Sequence, residues 1–311
     1  MPPPEQVERA VAAWARRRRF TAEQFPPEHL RAVKAGTSVA VVIPTKECAE
    51  TIGAVLARAV APLAGHGLLD EVLVIDAGSA DGTAERAAAA GARVVQQDDV
   101  LGAFGPALGK GDAMWRAVHV TRSEVVCFID GDTADPVPRH VLGLIGPLIA
   151  DPAIAFVKGA YERPLRAGEL ELAHEGGRVT ELMARPLLNL HEPRLAGFAQ
   201  PLAGEFAARR RLLESIRFPV GYGVEIAVLI DALALCGLDA LAESHLGTRR
   251  NRHQPLRFLG EMAYAVLAAA ERRLGWPGPA PDGRYLRPWQ DFTATEVPIA
   301  ERPALRSLED R

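Results

Sequence analysis

Two carboxylates stand close together in Asp130-Gly131-Asp132, directly after the apolar run that begins at Glu124. In an extended chain, residues i and i+2 point to the same side, and an intervening glycine lets other groups approach closely. Carboxylate oxygens suit Mg²⁺ or Mn²⁺, and such an ion can bridge the oxygens of a diphosphate. The triplet therefore predicts a metal-assisted phosphate site, unless the two carboxylates only cap a helix near Pro136.

Two glycine-containing segments upstream add groups that bind phosphate or nucleoside. Lys110 is flanked by glycines just before a predicted helix, where its ammonium group can reach a phosphate, although the spacing is not that of a P-loop. The segment Asp76–Gly82 offers backbone N–H groups and the Ser79 hydroxyl to a base or a ribose. It is equally consistent with a loop in which Ser79 or Asp81 caps the next helix.

The second half of the chain contains three further candidate features. Arg178 and Thr180 open a predicted helix whose N–H groups and dipole favour an anion, although Thr180 would also serve as a simple cap. Glu225 interrupts an apolar helix, and a buried carboxylate is costly unless a ligand or a basic residue pairs with it. The loop Arg249–His253 could hold phosphate groups, with His253 completing a metal site, or it could be a solvated basic loop.

The elements that must position these groups alternate between strand and helix in the first half of the chain. Apolar, β-branched runs predict strands at Ser38–Pro44, Asp70–Asp76, Ala92–Gln96 and Glu124–Asp130. The alternation predicts an α/β fold with a parallel sheet and helices on both faces. Ligands bind beyond the carboxyl ends of such strands, which is where several of the candidate groups stand.

The second half is predicted to be more mixed. The segments are a strand at Ile154–Tyr161 and helices at Val179–Leu190, Glu205–Ser215, Val224–Cys236 and Arg257–Leu274. The last helix has an apolar stripe that suits either a dimer contact or packing within the subunit. A short helix opens the chain, and the tail after Trp276 is predicted to be extended or partly disordered.

The composition is that of an ordinary globular protein. The 311 residues are 48% hydrophobic and 24% charged, and a net charge of −3 argues against nucleic acid as the main partner. No run reaches the ~20 apolar residues of a membrane span, so no membrane partner is expected. Three cysteines without a CxxC pair are typical of the reducing cytoplasm, where we expect the protein. The run Arg16–Arg19 fits a solvated helix end, a contact between subunits or an anionic docking patch.

Together these segments resemble the actinobacterial glucosyl- and mannosyl-3-phosphoglycerate synthases, which are retaining glycosyltransferases of the GT-A fold. The resemblance covers roughly residues 38–260. The stretches that carry it are Val42–Pro44 with Glu47, Asp76–Thr83, Gly91–Val95, Gly109–Gly111, Asp130–Asp132, Gly177–Leu182, Ala184–Leu188, Gln200–Glu205 and Gly221–Ile226. The stretches in the first half are shared with many nucleotide-sugar transferases, whereas those around Arg178, Glu205 and Glu225 are more particular.

The resemblance implies a GT-A fold, a Rossmann-like mixed, mostly parallel sheet flanked by helices, with a helical C-terminal extension. It implies transfer of glucose or mannose from UDP-glucose, GDP-glucose or GDP-mannose to 3-phosphoglycerate, with Mg²⁺ (or Mn²⁺ or Co²⁺) as cofactor, and a homodimer. We divide the chain into an N-terminal helix and connector (1–36), a nucleotide-sugar-binding subdomain (37–150), an acceptor-binding subdomain (151–255) and a C-terminal helix and tail (256–311).

By match to the family's motifs, individual residues receive roles. The residues that would hold the donor are Pro44, Thr45, Glu47, Ser79, Lys110, Asp130 and Gly131. The residues that would hold the acceptor are Gly177, Arg178, Val179, Thr180, Arg249 and Asn251. The catalytic group would be Lys110, Asp132 as the metal ligand, Glu225 against the transferred sugar, and Leu202, whose main-chain carbonyl would lie near the anomeric carbon. The family's metal-binding histidine aligns with Asn251, whereas this chain has His253, so either the loop shifts to bring His253 to the metal or another group completes the shell.

Three other classes share part of this pattern. An inverting GT-A transferase acting on a lipid phosphate or another phosphorylated acceptor shares the first-half motifs but has no need of Arg178 and Thr180. A sugar-1-phosphate nucleotidyltransferase would begin with a glycine-rich basic loop, where this chain has Pro44–Cys48. A nucleotide-sugar sensor without catalysis would not require Asp132 and Glu225.

Overall fold

The structure, a computed structural model, describes residues 3–163, 165–167, 170–172, 177–249, 255–287 and 293–309. The strands are β1 (Arg19–Thr21), β2 (Val39–Thr45), β3 (Glu71–Asp76), β4 (Arg93–Gln96), β5 (Val125–Phe128), β6 (Phe156–Glu162), β7 (Leu165–Ala167), β8 (Leu170–Leu172), β9 (Phe206–Arg209), β10 (Phe218–Pro219), β11 (Leu241–Thr248), β12 (Arg284–Arg287), β13 (Thr293–Glu296) and β14 (Glu301–Arg302). The helices are α1 (Pro4–Arg18), α2 (Pro27–Val33), α3 (Ile52–Ala54), α4 (Ala61–Gly65), α5 (Thr83–Ala89), α6 (Lys110–Val120), α7 (Arg139–Ala150), α8 (Arg185–His191), α9 (Arg210–Leu213), α10 (Val224–Cys236), α11 (Leu256–Leu274) and α12 (Arg306–Glu309). Short π-helical segments join α3 to α4 (Val55–Val60) and precede α8 (Thr180–Ala184).

The main sheet has eight strands in the order β1-β11-β6-β9-β5-β2-β3-β4 within the described residues. Strand β9 is antiparallel to its neighbours β5 and β6. The other neighbouring pairs are parallel. The predicted α/β fold with a mixed, mostly parallel sheet is therefore confirmed, and β2, β3, β4 and β5 lie where the four apolar runs predict them.

Strand β2 shows why its sequence is apolar throughout. Val39, Val41 and Ile43 face one hydrophobic layer, whereas Ala40 and Val42 face the other, and all five are fully buried. The first layer packs against α7 and the helical segments from α3 to α5, and the second packs against α6 and α10. A strand covered on both faces has no polar side and leaves only its ends for chemistry.

In the second half, one predicted helix is wrong and one long strand was not predicted. The segment predicted as a helix at Glu205–Ser215 is the strand β9 followed by the single turn α9. Strand β11 lies in a segment that was given no element, and it pairs with β1 and β6. Both strands depend on partners far away in the sequence, so local propensity does not reveal them.

The N-terminal helix is fixed to the sheet by its arginines. Three of the four residues of the Arg16–Arg19 run pair with carboxylates of this same chain: Arg17 with Asp239 (2.7 Å), Arg18 with Asp151 (2.6 Å) and Arg19 with Glu243 (3.1 Å). The Trp14 indole nitrogen donates to the carbonyl of Leu241 at 2.7 Å. We therefore assign this run to anchoring α1.

The sheet takes strands from both sides of residue 150, and β1 comes from the first 36 residues. The division into four segments stays a prediction. Across the described part of the chain, no helix combines the length and the hydrophobicity needed to cross a bilayer.

Candidate functional site

Two adjoining cavities open beyond the carboxyl ends of β2, β3 and β5. We call the larger one, of about 1510 Å³, the large cleft; its lining includes Pro44, Thr45, Glu47, Lys110, Asp130, Gly131 and Asp132. We call the smaller one, of about 230 Å³, the small cavity; its lining includes Lys110, Asp130, Gly177, Arg178, Val179, Thr180, Leu202, Glu225 and Arg249. Lys110 and Asp130 line both and thus mark the junction between them.

The strand-end carboxylate of Asp76 holds the loops together and does not face the large cleft. Asp76 is fully buried, and its Oδ1 accepts hydrogen bonds from the hydroxyls of Thr45 (3.0 Å) and Ser79 (2.7 Å). Its Oδ2 accepts from the backbone N–H of Ser79 at 2.9 Å. Asp76 therefore fixes Thr45 and Ser79 at the ends of neighbouring strands.

The loops after β2 and β3 are tied to each other directly. The backbone N–H of Glu47 donates to the Ser79 hydroxyl oxygen at 2.9 Å, and the N–H of Ala80 donates to Glu47 Oε1 at 3.0 Å. Glu47 has a φ of 52°, an uncommon left-handed conformation for a residue with a side chain. Asp81 accepts from the Thr83 hydroxyl and from two backbone N–H groups, which lower the pKa of its carboxyl group. Asp81 thus accepts from the first N–H of α5, while Gly82 occupies the cap position itself.

A compact charged cluster occupies the junction of the two cavities. Lys110 Nζ lies 2.7 Å from Asp130 Oδ1 and 3.2 Å from Glu225 Oε1. Arg249 Nη2 lies 3.1 Å from Asp130 Oδ2. Burial opposes each charge, but Lys110 and Arg249 together bring the pKa of Asp130 below its ordinary value. Burial likewise lowers the pKa of Lys110, but Asp130 and Glu225 raise it above its ordinary value.

The two carboxylates of the 130–132 triplet face different surroundings, contrary to the expectation that they point the same way. Strand β5 ends at Phe128, and residues 131 and 132 form a turn, so the two-residue alternation of a strand does not apply. Both Asp130 oxygens bind cations at 2.7 and 3.1 Å, whereas the Asp132 side chain is 70% exposed and its Oδ1 lies 3.7 Å from Arg249 Nη2. The close approach expected at Gly131 is present, because a Cβ there would lie 2.9 Å from Thr45 Cγ2.

Asp132 is the described residue that best fits a divalent metal ion. Its exposed carboxylate stands in the large cleft, and Mg²⁺ is commonly held by one or two carboxylates together with substrate phosphates and water. No cluster of three or more possible metal ligands occurs within the described ranges. Asn251 and His253 lie outside the described residues, so the predicted role of each stays a prediction.

The small cavity combines basic groups with the beginning of a helix. Gly177 has a φ of 72°, which a glycine adopts without strain, and the helical stretch that continues into α8 starts directly after it. Arg178, Val179 and Thr180 all line the cavity, together with Arg249 and Leu202. The structure thus brings together the described residues predicted for the acceptor, and Leu202, predicted to lie near the anomeric carbon, lines the same cavity.

Two residues of this site received no role from the sequence. Glu205 is a buried carboxylate that pairs with Arg249 Nη1. The ring of Tyr161 lies 5.5 Å from the Arg249 guanidinium on its other side. Glu205 belongs to one of the stretches that carried the family resemblance. Because a helix was predicted to begin at Glu205, its position in the loop directly before β9 was not expected.

Lys158 is a further charged residue that the sequence analysis passed over. It is fully buried in β6, its Nζ lies 3.5 Å from the carbonyl oxygen of Glu225, and the Phe206 ring centre is 5.3 Å away. Burial lowers the pKa of Lys158 to about 7. The sequence around Lys158 does not indicate that its amine lies between the rings of Phe156 and Phe206 and next to the main chain of Glu225.

The C-terminal part of the chain closes the site from the other side. Leu259, Met262 and Val266 of α11 line the small cavity, so most of the apolar stripe on this helix packs within the subunit. Glu296, Val297 and Pro298 line the large cleft. The tail after Trp276 therefore contributes directly to the site.

Comparisons with known proteins agree with this arrangement. The model of glycosyl transferase family 2 matches residues 40–214. The glucosyl-3-phosphoglycerate synthase of Mycolicibacterium smegmatis is 42% identical over 285 residues, which cover 91% of this chain and 93% of that protein. The crystal structure of mannosyl-3-phosphoglycerate synthase from Rubrobacter xylanophilus has a TM-score of 0.85 and 43% identity, covering 96% of this chain and 99% of that one.

A third relative was solved with ligands. Glucosyl-3-phosphoglycerate synthase from Mycobacterium tuberculosis, in complex with Mn²⁺, UDP-glucose and phosphoglyceric acid, has a TM-score of 0.81 and 40% identity, covering 91% of this chain and 95% of that one. The family model covers more than half of the chain, and the relatives match it almost from end to end. The chain therefore belongs to glycosyl transferase family 2, in the group that includes the glucosyl- and mannosyl-3-phosphoglycerate synthases.

Proposed function

We propose that this protein transfers glucose or mannose from a nucleotide-sugar to 3-phosphoglycerate and retains the configuration of the anomeric carbon. The observation that carries the proposal is the junction at Lys110 and Asp130, where a large cleft meets a small cavity lined by Arg178 and Arg249. A donor bound in the large cleft would present its sugar to a small anion in the neighbouring cavity. The M. tuberculosis relative, which was solved with UDP-glucose and phosphoglyceric acid together, supports this pair of ligands.

The large cleft supplies the groups expected for the donor. Pro44, Thr45 and Glu47 line the cleft, whereas Ser79 is not part of its lining and instead accepts a hydrogen bond of 2.9 Å from the Glu47 N–H. The loops that carry these residues are cross-linked, so the surface for the nucleoside is formed before the ligand arrives. Lys110 would meet the diphosphate at the inner end of the cleft.

The small cavity favours a short phosphorylated acid over a lipid phosphate. Its volume of about 230 Å³ is below the range typical of drug-sized ligands. Arg178 and the N–H groups at the helix start provide two kinds of anion donor, while Leu259 and Met262 close the apolar wall.

A divalent cation, Mg²⁺ or alternatively Mn²⁺ or Co²⁺, would be held by Asp132 together with oxygens of the donor. When bound, it supplies positive charge that stabilises the departing diphosphate. The Mn²⁺ complexes of the M. tuberculosis relative support a divalent metal without selecting the ion used by this chain.

The arrangement of side chains favours retention without a covalent glycosyl-enzyme. Glu225, the carboxylate beside the transferred sugar in this proposal, is 3.2 Å from Lys110 and is therefore engaged as an ion pair rather than free as a nucleophile. The bond from the anomeric carbon to the diphosphate oxygen breaks, the bond to the acceptor hydroxyl oxygen forms on the same face, and the hydroxyl proton passes to the departing diphosphate. The Leu202 main-chain carbonyl would lie near the carbon that reacts.

We also propose a cytoplasmic homodimer. The likeness to the family is the basis for the dimer, and exposed Leu182 and Leu190, two helical turns apart, offer an apolar surface for it. Cys48, Cys127 and Cys236 are free thiols, which agrees with a reducing compartment. Sedimentation velocity at two protein concentrations would decide between monomer and dimer.

A product assay tests the function. The purified protein would be offered 3-phosphoglycerate with UDP-glucose, GDP-glucose or GDP-mannose in turn, in Mg²⁺ and in Mn²⁺, and the products would be identified by mass. We expect release of nucleoside diphosphate that requires 3-phosphoglycerate and yields a hexosyl-phosphoglycerate of the α configuration. Donor turnover that proceeds equally without 3-phosphoglycerate would refute the acceptor assignment.

A further inference from the structure

The turn from Leu202 to Glu205 passes directly over the Lys110–Asp130 ion pair. A Cβ atom placed on Gly204 would lie 2.4 Å from Lys110 Nζ and 2.8 and 2.9 Å from the two Asp130 carboxylate oxygens. Non-bonded carbon, nitrogen and oxygen atoms do not approach this closely. A residue with any side chain therefore cannot occupy position 204 while the ion pair keeps its present geometry.

The backbone itself does not require glycine at this position. Gly204 is not among the residues with positive φ, so an alanine there would meet no conformational strain. The three atoms nearest to such a methyl group are the Lys110 ammonium nitrogen and the two Asp130 carboxylate oxygens, which are all ends of side chains. The structure can accept a methyl group at position 204 by moving the ends of those two side chains. The substitution should therefore perturb the site without perturbing the fold.

Moving Lys110 would disturb several contacts of the site together. Lys110 Nζ bridges Asp130 at 2.7 Å and Glu225 at 3.2 Å, and the next residue of the turn, Glu205, pairs with Arg249. The turn thus lies against one cation through Gly204 and binds the other through Glu205. Both cations contact Asp130, so the turn determines the geometry of the whole junction.

We propose that Gly204 is a positioning residue of the donor site: its missing side chain lets the Lys110 ammonium lie at the junction of the two cavities, where it meets the donor diphosphate. The diphosphate as ligand rests on the proposed function, whereas the effect of Gly204 on the position of Lys110 does not. Substitution of Gly204 by alanine displaces the ammonium group and weakens diphosphate binding while the fold is kept.

The test compares Gly204→Ala with two matched glycine variants. Gly146→Ala is equally crowded, because its Cβ would meet the Phe25 ring at 2.5 Å. Neither Gly146 nor Phe25 lines the large cleft or the small cavity. Gly65→Ala has open space around the new methyl group. Binding of UDP and of GDP in the presence of Mn²⁺ is measured by calorimetry, and stability is measured by thermal melting.

We expect Gly204→Ala to melt within a few degrees of the wild type and to bind the nucleoside diphosphate at least tenfold more weakly. Gly146→Ala should show the reverse pattern, with a lower melting temperature and unchanged affinity, and Gly65→Ala should change neither. Unchanged affinity of Gly204→Ala, or a loss of affinity that only accompanies unfolding, would overturn the proposal.

A double-mutant cycle with Lys110→Met identifies the group through which Gly204 acts. If the methyl group acts by displacing the ammonium, Gly204→Ala should cost less than threefold in affinity when Lys110 has already been replaced. The same tenfold loss in both backgrounds would show that Gly204 acts through something else. If the wild type binds neither nucleotide, the proposed function fails. A crystal structure of Gly204→Ala then decides the inference alone, and it is overturned if Lys110 still lies within hydrogen-bond distance of Asp130.

Discussion

Replacing Arg302 should destabilise the protein. Arg302 lies in the C-terminal tail and binds Asp112, which is 190 residues earlier in the sequence. Arg302 donates to Asp112 Oδ2 at 2.5 Å and to the carbonyl oxygens of Phe104 at 2.7 Å and Pro106 at 3.2 Å. Asp112 is completely buried, and its other partners among the described residues are Arg116 and the backbone N–H of Leu108. Arg302→Met therefore removes one buried ion pair and leaves two carbonyl groups without this donor.

The expected loss follows from those contacts. Breaking a buried ion pair by removing one partner costs about 3–5 kcal/mol. Loss of the hydrogen bonds to the two carbonyl groups adds little to this cost, because the carbonyl groups gain access to water as the loop loosens. Urea unfolding followed by circular dichroism measures the loss, and Arg306→Met, an exposed arginine on α12, should change stability by less than about 0.5 kcal/mol.

The same substitution should weaken donor binding, because Ala107 and Leu108 in the loop held by Arg302 line the large cleft. We expect a severalfold higher KM for the donor and an unchanged KM for the acceptor. In the double variant Asp112→Asn with Arg302→Met, the second change should cost at least about 1.5 kcal/mol less than it does alone. A loss below about 1 kcal/mol for Arg302→Met, or strict additivity with Asp112→Asn, would refute the assignment of this tail as a structural part of the cleft.

Four further outcomes are expected. Asp132→Ala should abolish the dependence of turnover on Mn²⁺ together with most of the turnover; full turnover in the presence of a chelator would contradict the metal role. Arg178→Ala should raise the acceptor KM at least tenfold with nucleotide binding intact, as measured by initial rates and calorimetry. Burial lowers the pKa of His140 to about 4, so stability should fall between pH 6.5 and 4 as the unfolded chain takes up a proton, and His140→Gln should remove about 2 kcal/mol of that fall in urea unfolding across this range. Burial lowers the pKa of Lys158 to about 7, so Lys158→Met should raise the free energy of unfolding by about 2–4 kcal/mol at pH 7, a gain that should shrink as the pH rises towards 10.5.

The sequence was sufficient for the elements whose pattern is local. Strand β2 is apolar at every position because both faces are covered, and that pattern is visible without knowing the partners. Strand β9 shows the opposite case. Ala207, Ala208 and Arg209 have good helix propensity, yet they form a strand because β5 and β6 flank them on both sides. Pairing with distant strands outweighs a few tenths of a kcal/mol per residue of local preference.

The members of the candidate site could be predicted from the sequence, whereas the ion pairs between them could not. The resemblance assigned Asp130 to the donor and Asp132 to the metal, but the residues around the two carboxylates give no physical reason for that difference. The difference arises because Lys110, 20 residues earlier, binds Asp130, and because Arg249, 119 residues later, lies 3.1 Å from Asp130 but 3.7 Å from Asp132. Long-range pairing of this kind has no local signature. The same reason accounts for Glu205, whose partner Arg249 is just as remote in the sequence.

The charges at the junction also explain why a divalent cation is needed there. Lys110 and Arg249 are already neutralised, since Asp130, Glu225 and Glu205 contact them and outnumber them. A diphosphate that enters this junction meets no uncompensated positive charge on those two cations, and in a low-dielectric site the resulting repulsion is poorly screened. Additional positive charge must therefore accompany the donor, beside the exposed carboxylate of Asp132. It follows that, without metal, a nucleoside should bind at least as well as its diphosphate, and that only added metal should reverse this order.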